Sequence, residues 1–166
     1  MGNSKHYRIS KWIISILLAF FLSSLNSYSQ DTIKAKNKRL TPTLAIAGAT
    51  YAGGMTGLYF LWYKDYPQSS FHTLNDNSAW LQTDKMGHAL SAYHLTKSSY
   101  SVFKWAGMTD KKALLLGGVA GFGFLSSVEV LDGFSSNWGF SMGDFGENLI
   151  GSSIYIGQRL VWGEKR

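Results

Sequence analysis

From Thr43 to Trp62, 20 consecutive residues carry no charge, and a helix of about 20 apolar residues is what crossing the hydrocarbon of a bilayer requires. A stretch of this kind is covered either by lipid or by protein. Pro42 stands where the first helical turn would begin, a place where its missing N–H costs nothing. Ala45, Ala49, Gly53 and Gly57 recur every fourth residue, which predicts a ridge of small side chains that another helix can approach closely. Tyr59, Trp62, Tyr63 and Tyr66 gather at the far end, where amphipathic rings suit a membrane–water boundary.

A second apolar run, Ala113 to Leu131, has its own small ridge at Ala113, Gly117 and Gly121 and meets its first acid at Glu129. Charged residues are only 16% of the chain and hydrophobic ones 45%, where soluble domains carry roughly 25% charge. The mean hydropathy of −0.05 is low for a polytopic protein. A bundle embedded in a membrane and one docked on its surface both fit these values.

The N-terminus reads as an export address. Lys5, Arg8 and Lys11 precede the apolar run Trp12 to Leu22, and cleavage after Ser29 would place serines at −1 and −3. The apolar run is short for a membrane span; an uncleaved anchor is the alternative. The formal charge of +6 falls to +3 without this segment. The remaining excess sits in Lys34, Lys36, Lys38 and Arg39, and in Arg159, Lys165 and Arg166. These read as juxtamembrane charges facing anionic lipid. No basic stripe runs along a folded element, so nucleic acid is a poor partner. Cysteine is absent, which removes disulfides, thiolate nucleophiles, zinc–thiolate sites and lipid-modified cysteine.

Between the apolar runs, residues 65 to 83 are rich in turn formers and predict an interfacial loop or short surface helix. Asp84 to Trp105 follows as a more polar helix with Asp84, Lys85 and His88 in its first turns. Asp110 is placed to cap the next helix. Glu129 and Asp132 end that helix, where acids oppose the dipole and need a compensating donor or cation. After the connector 133 to 143, Ser141 can cap a last helix reaching about Trp162, with Asp144 and Asn148 in its first turns.

Helical spacing sorts the candidate site residues into three pairs: Asp84 with His88, Glu129 with Asp132, and Asp144 with Asn148. In an antiparallel up-and-down bundle the start of the second helix, the end of the third and the start of the fourth share one level. The cluster can be structural, with Lys85 neutralising an acid and His88 bonding another. It can also bind a hard metal or activate water, with His88 and Asp144 as ligands or general base and Lys85 stabilising negative charge. The sequence assigns no metal and no cofactor: neither HExxH nor GxSxG is present. His94 falls about 240° around the helix from His88, and His72 lies in a loop; both are set aside. The glycine-rich stretch 117 to 123 reads as helix packing rather than a phosphate loop.

An ordered set of motifs resembles a known family: Asn75-Asp76, Trp80-Leu81, Asp84-Lys85-x-x-His88-Ala89, Tyr93, Glu129-x-x-Asp132-Gly133-Phe134-Ser135, Trp138-Gly139-Phe140-Ser141, Asp144 and Asn148-x-x-Gly151. Over roughly residues 70 to 160 the chain resembles the YfiM-like domains of unknown function, described as predicted periplasmic lipoproteins. The missing cysteine departs from that description, so helices or a partner must replace a lipid anchor. A looser similarity links DKxxH, the helix-ending glutamate and DxxxNxxG to the VanZ-like membrane proteins, although GFSSNWGFS replaces the arginine-containing connector of that family.

The expected chain is therefore a signal peptide (1–29), a basic linker (30–41) and a single helical YfiM-like domain (42–166). Its expected fold is all-α, a small bundle of about four apolar, glycine-rich helices, membrane-embedded or membrane-associated. It is expected to be exported and to sit in an envelope membrane facing the periplasm, with the inner and outer membranes both open. Membrane lipids are the expected partners, with another envelope protein as a further one. Two functions follow: binding of lipid or an envelope protein through Asp84, Lys85, His88, Glu129, Asp132, Asp144 and Asn148, or hydrolase or transferase chemistry on a lipid-linked envelope substrate.

Overall fold

The structure, a computed structural model, describes residues 39–78 and 82–163. The expected signal peptide, nearly all of the expected basic linker, Trp80-Leu81, Lys165 and Arg166 lie outside the described residues. The fold is all-α apart from one short ribbon. Helix α1 spans Leu40–Leu58 and runs into a five-residue π-helical turn, Tyr59–Tyr63. A loop holding β1 (Thr73–Leu74) leads to α2 (Thr83–Trp105), α3 (Asp110–Asp132), β2 (Phe140–Ser141) and α4 (Met142–Trp162). The continuous helix Leu40–Tyr63 and α3 are both long and apolar enough to cross a membrane, with mean hydropathies of 1.2 and 1.8.

The helices alternate in direction. At one end, Arg39 lies 5.0 Å over the Trp105 ring, and Tyr100, Asp110 and Arg159 join α2, α3 and α4. At the other, Tyr63 meets Asp132 and the start of α2 meets the start of α4. The apolar core occupies the first end: Leu40, Tyr100, Phe103, Ala106, Met108, Ala113, Leu114 and Tyr155. Its polar groups are matched, since Asp110 takes the Tyr100 hydroxyl at 2.5 Å, Arg159 at 3.3 Å and Lys104 at 3.4 Å.

The glycine ridge of α3 behaves as its spacing predicts. A Cβ on Gly117 would meet the Tyr100 backbone nitrogen at 2.9 Å, and one on Gly121 the Thr96 nitrogen at 2.7 Å. The absence of side chains is therefore what lets α2 lie against α3. The α1 ridge does not: Ala45 and Ala49 are exposed, and nothing lies within 4 Å of a Cβ on Gly53 or Gly57. Helix α1 instead packs through Tyr51, whose ring meets Phe124 edge-on and whose hydroxyl pairs with Ser127 at 2.6 Å.

Helix α1 begins at Leu40, among the last residues of the expected basic linker. One further expectation is corrected. Asp110 is not a cap: Thr109 holds that position without a side-chain bond, and the Asp110 carboxylate is drawn instead to Tyr100, Lys104 and Arg159. The 65–83 segment takes the first of its two expected forms, a loop up to the start of α2 at Thr83, among its described residues. Its β1 pairs in parallel with β2, Thr73 opposite Phe140 and Leu74 opposite Ser141. A Cβ on Gly139 would stand 2.8 Å from that of Leu74, so glycine there permits the pairing.

Candidate functional site

The end of the bundle opposite the apolar core is filled by polar side chains. Glu129 and Asn148 are 2% and 0% exposed, and Lys85, Ser141 and Asp144 are buried with them. The close approach that builds this end is again a glycine effect: a Cβ on Gly151 would strike the Ala89 backbone carbonyl. That contact seats the first turns of α4 against those of α2, so the expected pairs face one another across the helix interface.

His88 is the hub. Its Nδ1 lies 3.0 Å from Asn148 Oδ1, and since an amide oxygen only accepts, Nδ1 is the donor. Nε2 then faces the acids, with Glu129 Oε1 at 3.6 Å and Asp84 Oδ1 at 3.9 Å. Glu129 is not left bare at the wrong end of its helix dipole, because the Ser141 backbone N–H donates to its Oε2 at 3.2 Å. Ser141 also caps α4 as predicted, its Oγ accepting from the Asp144 N–H at 3.1 Å.

Lys85 bridges the second half of the cluster. Its ammonium donates to Asp76 Oδ1 at 2.7 Å and to Asp144 Oδ1 at 3.2 Å. Asp76 further accepts the Ser141 hydroxyl at 2.8 Å. Burial works to raise the Asp76 carboxyl, but the bonds from Lys85 and Ser141 outweigh it and hold it below the usual carboxylate range. Asp132 stands apart: its described hydrogen bond comes from the Tyr63 hydroxyl at 2.6 Å. The π-helical turn carries Tyr63, which is buried with that bond.

Six of the seven predicted residues thus form one connected group, and Asp132 flanks it. Sequence reasoning passed over three participants. In the sequence Asp76 stands in a motif that carries only family resemblance, Ser141 in another such motif and at a helix cap, and Tyr63 in an interfacial aromatic cluster. His72 bonds locally to Ser69 and Ser70, and His94 is exposed beside Tyr93; neither joins the group. The cluster opens outward through Asp84, whose side chain is 60% exposed, while that of His88 beneath it is 18% exposed. One ligand atom from each of Asp84, His88 and Asp144 lies within 4.8 Å of the others.

No curated protein and no solved structure matches the chain. A family model does: the one described as predicted periplasmic lipoprotein, DUF2279, covers residues 73–156. That span runs from β1 well into α4 and includes every member of the cluster except Tyr63. The description agrees with an exported protein of the cell envelope facing the periplasm. Its lipid has no cysteine to attach to in this sequence. By this match over half of its length, the chain belongs to the DUF2279 family of predicted periplasmic lipoproteins.

Proposed function

We propose that this protein is integral to an envelope membrane and that the polar end of its bundle binds the head of a lipid or lipid-linked envelope molecule. The observation that carries this reading is an inversion of polarity. Ile46, Leu90, Val119 and Leu160, one from each helix, are more than half exposed, while the largest fully buried side chains are Glu129, Asn148 and Thr96. In water such a surface would associate or aggregate; in lipid it is the expected exterior. The helices have 21 to 24 residues, and at about 1.5 Å per residue each exceeds the roughly 30 Å of hydrocarbon.

Placed this way, the cluster lies at helix ends, where the cost of charge in a membrane falls. Its opening at Asp84 is level with the head groups. A lipid head can enter there without leaving the bilayer. The test is to purify the protein in mild detergent, identify co-purifying lipid by mass spectrometry, and repeat with Asp84→Asn and His88→Ala. Retention of one lipid class by the parent and its loss from both variants supports the reading. Equal, unselective lipid content in all three sinks it.

One observation favours a second, enzymatic reading: His88 is oriented by a fully buried amide and offers Nε2 beside two acids, the arrangement a general base requires. The substrate would be lipid-linked and the reaction a hydrolysis or group transfer. If the retained lipid is turned over by the parent in vesicles, and His88→Ala binds it without turnover, catalysis replaces simple binding.

A further inference from the structure

We infer that Asp84, His88 and Asp144 bind one divalent transition-metal ion, with Asn148 and Glu129 supporting the ligands. This does not depend on the lipid reading, since the ion's ligands come from the protein alone.

The first ground is distance. Ligands about 2.0 to 2.2 Å from an ion stand up to about 4 Å apart, and the three donor atoms already lie within 4.8 Å of one another. Sub-ångström adjustments close the site. Asp84 is free to make them, being mostly exposed on the first turn of α2. Lys85 bonds to Asp144 through Oδ1 and holds Asp76 more closely.

The second ground is the orientation of His88. A metal-binding imidazole characteristically donates its other N–H to a fixed acceptor. Asn148 Oδ1 is that acceptor here, and the ring nitrogen left free faces Glu129 and Asp84 just beyond hydrogen-bonding reach. Two carboxylates facing one ring nitrogen call for a proton or a cation between them.

The third ground is Asn148 itself. It is 0% exposed, yet its Nδ2 has no hydrogen-bond partner. A buried donor left unmet costs about 1 to 3 kcal/mol. It lies on the carboxamide that holds His88, so the surroundings of the imidazole are left one polar contact short.

Charge gives the fourth. Asp76, Asp84, Glu129, Asp132 and Asp144 gather at this end, and among the described residues Lys85 is the lysine or arginine that pairs with them, through Asp76 and Asp144. The opposite end has two cations, Lys104 and Arg159, for Asp110. Acidic side chains therefore outnumber basic ones where the donors converge. Imidazole with carboxylates and no thiolate suits Mn²⁺, Fe²⁺ or Zn²⁺, whereas Mg²⁺ and Ca²⁺ prefer oxygen alone.

The test uses the full chain in detergent, stripped with EDTA and titrated with Mn²⁺ under electron paramagnetic resonance. One ion per chain is expected, displaced by Zn²⁺, with nitrogen coupling from His88. Asp84→Asn, at an exposed side chain, is expected to keep the melting temperature of the apo protein and to weaken binding by at least about ten-fold. His88→Gln is expected to abolish the nitrogen coupling. No saturable binding in the parent at millimolar Mn²⁺ overturns the inference. So does unchanged affinity in Asp84→Asn, or an equal loss in Asp110→Asn at the opposite end.

Discussion

Asn148 Oδ1 accepts the Nδ1–H of His88 at 3.0 Å across the α2–α4 interface, and the two residues are 60 positions apart in the chain. One buried amide thus decides which nitrogen of the imidazole faces the acids. The bond also means that α2 and α4 cannot separate at this end without exposing a polar void.

Asn148→Ala tests that dependence. It removes the acceptor, leaves the His88 N–H unmet and opens a small cavity. The expected loss is about 1 to 3 kcal/mol, read as a lower melting temperature in detergent. An unchanged melting curve would mean that the bond positions His88 at no structural cost.

Lys85 is the second dependence. Its ammonium is buried between Asp76 and Asp144, and removing one partner of a buried pair costs about 3 to 5 kcal/mol, because the other charge stays uncompensated. Lys85→Met should therefore destabilise strongly, and the added change Asp144→Asn should recover part of the loss. A double-mutant cycle measures the coupling. Simple additivity would show that Lys85 and Asp144 are adjacent without being coupled.

The helices and the three polar pairs were legible in the sequence because both follow from local rules: apolar run length, and spacing of three or four residues. Antiparallel order then carried Asp84, Glu129 and Asp144 to one level. The participation of Asp76 was not legible, since it depends on the ribbon of Thr73–Leu74 with Phe140–Ser141. Two-residue strands 67 positions apart leave no periodic signature. The role of Tyr63 was hidden for a related reason. An aromatic at a helix end reads as interfacial, and only the π-helical turn and its bond to Asp132 distinguish it. The α1 ridge misled in the opposite direction: regular small residues permit a close helix contact but do not supply one.

Two glycines in different settings give a paired prediction. Gly151→Ala places a methyl group against the Ala89 backbone, which cannot rotate away. Overpacking of this kind costs about 1 to 3 kcal/mol, and the loss should appear as a lower melting temperature and looser α2–α4 packing. Gly53→Ala meets nothing within 4 Å and gains helix propensity of about 1 kcal/mol. The isolated chain should be as stable or more so. If Gly53→Ala instead destabilises the protein in membranes but not in detergent, the α1 ridge is covered there by another helix.

The inverted polarity makes a prediction about accessibility that the sequence makes simple to test, because without any native cysteine every introduced thiol is reported without background. Maleimides react with thiolates, and a thiol in hydrocarbon stays protonated. Val119→Cys and Ile154→Cys carry exposed positions on the bundle exterior, and Ser136→Cys an exposed position in the connector beside the polar end. In native membranes Ser136→Cys should label readily with a charged maleimide, while Val119→Cys and Ile154→Cys should resist until detergent replaces the bilayer with a labile shell and denaturant unfolds the chain. A protein docked on the membrane surface would behave differently, since at least part of its exterior would face water. Rapid labelling at both exterior positions in intact membranes would therefore exclude the embedded bundle, and with it the proposed entry of a lipid head at Asp84 from within the bilayer.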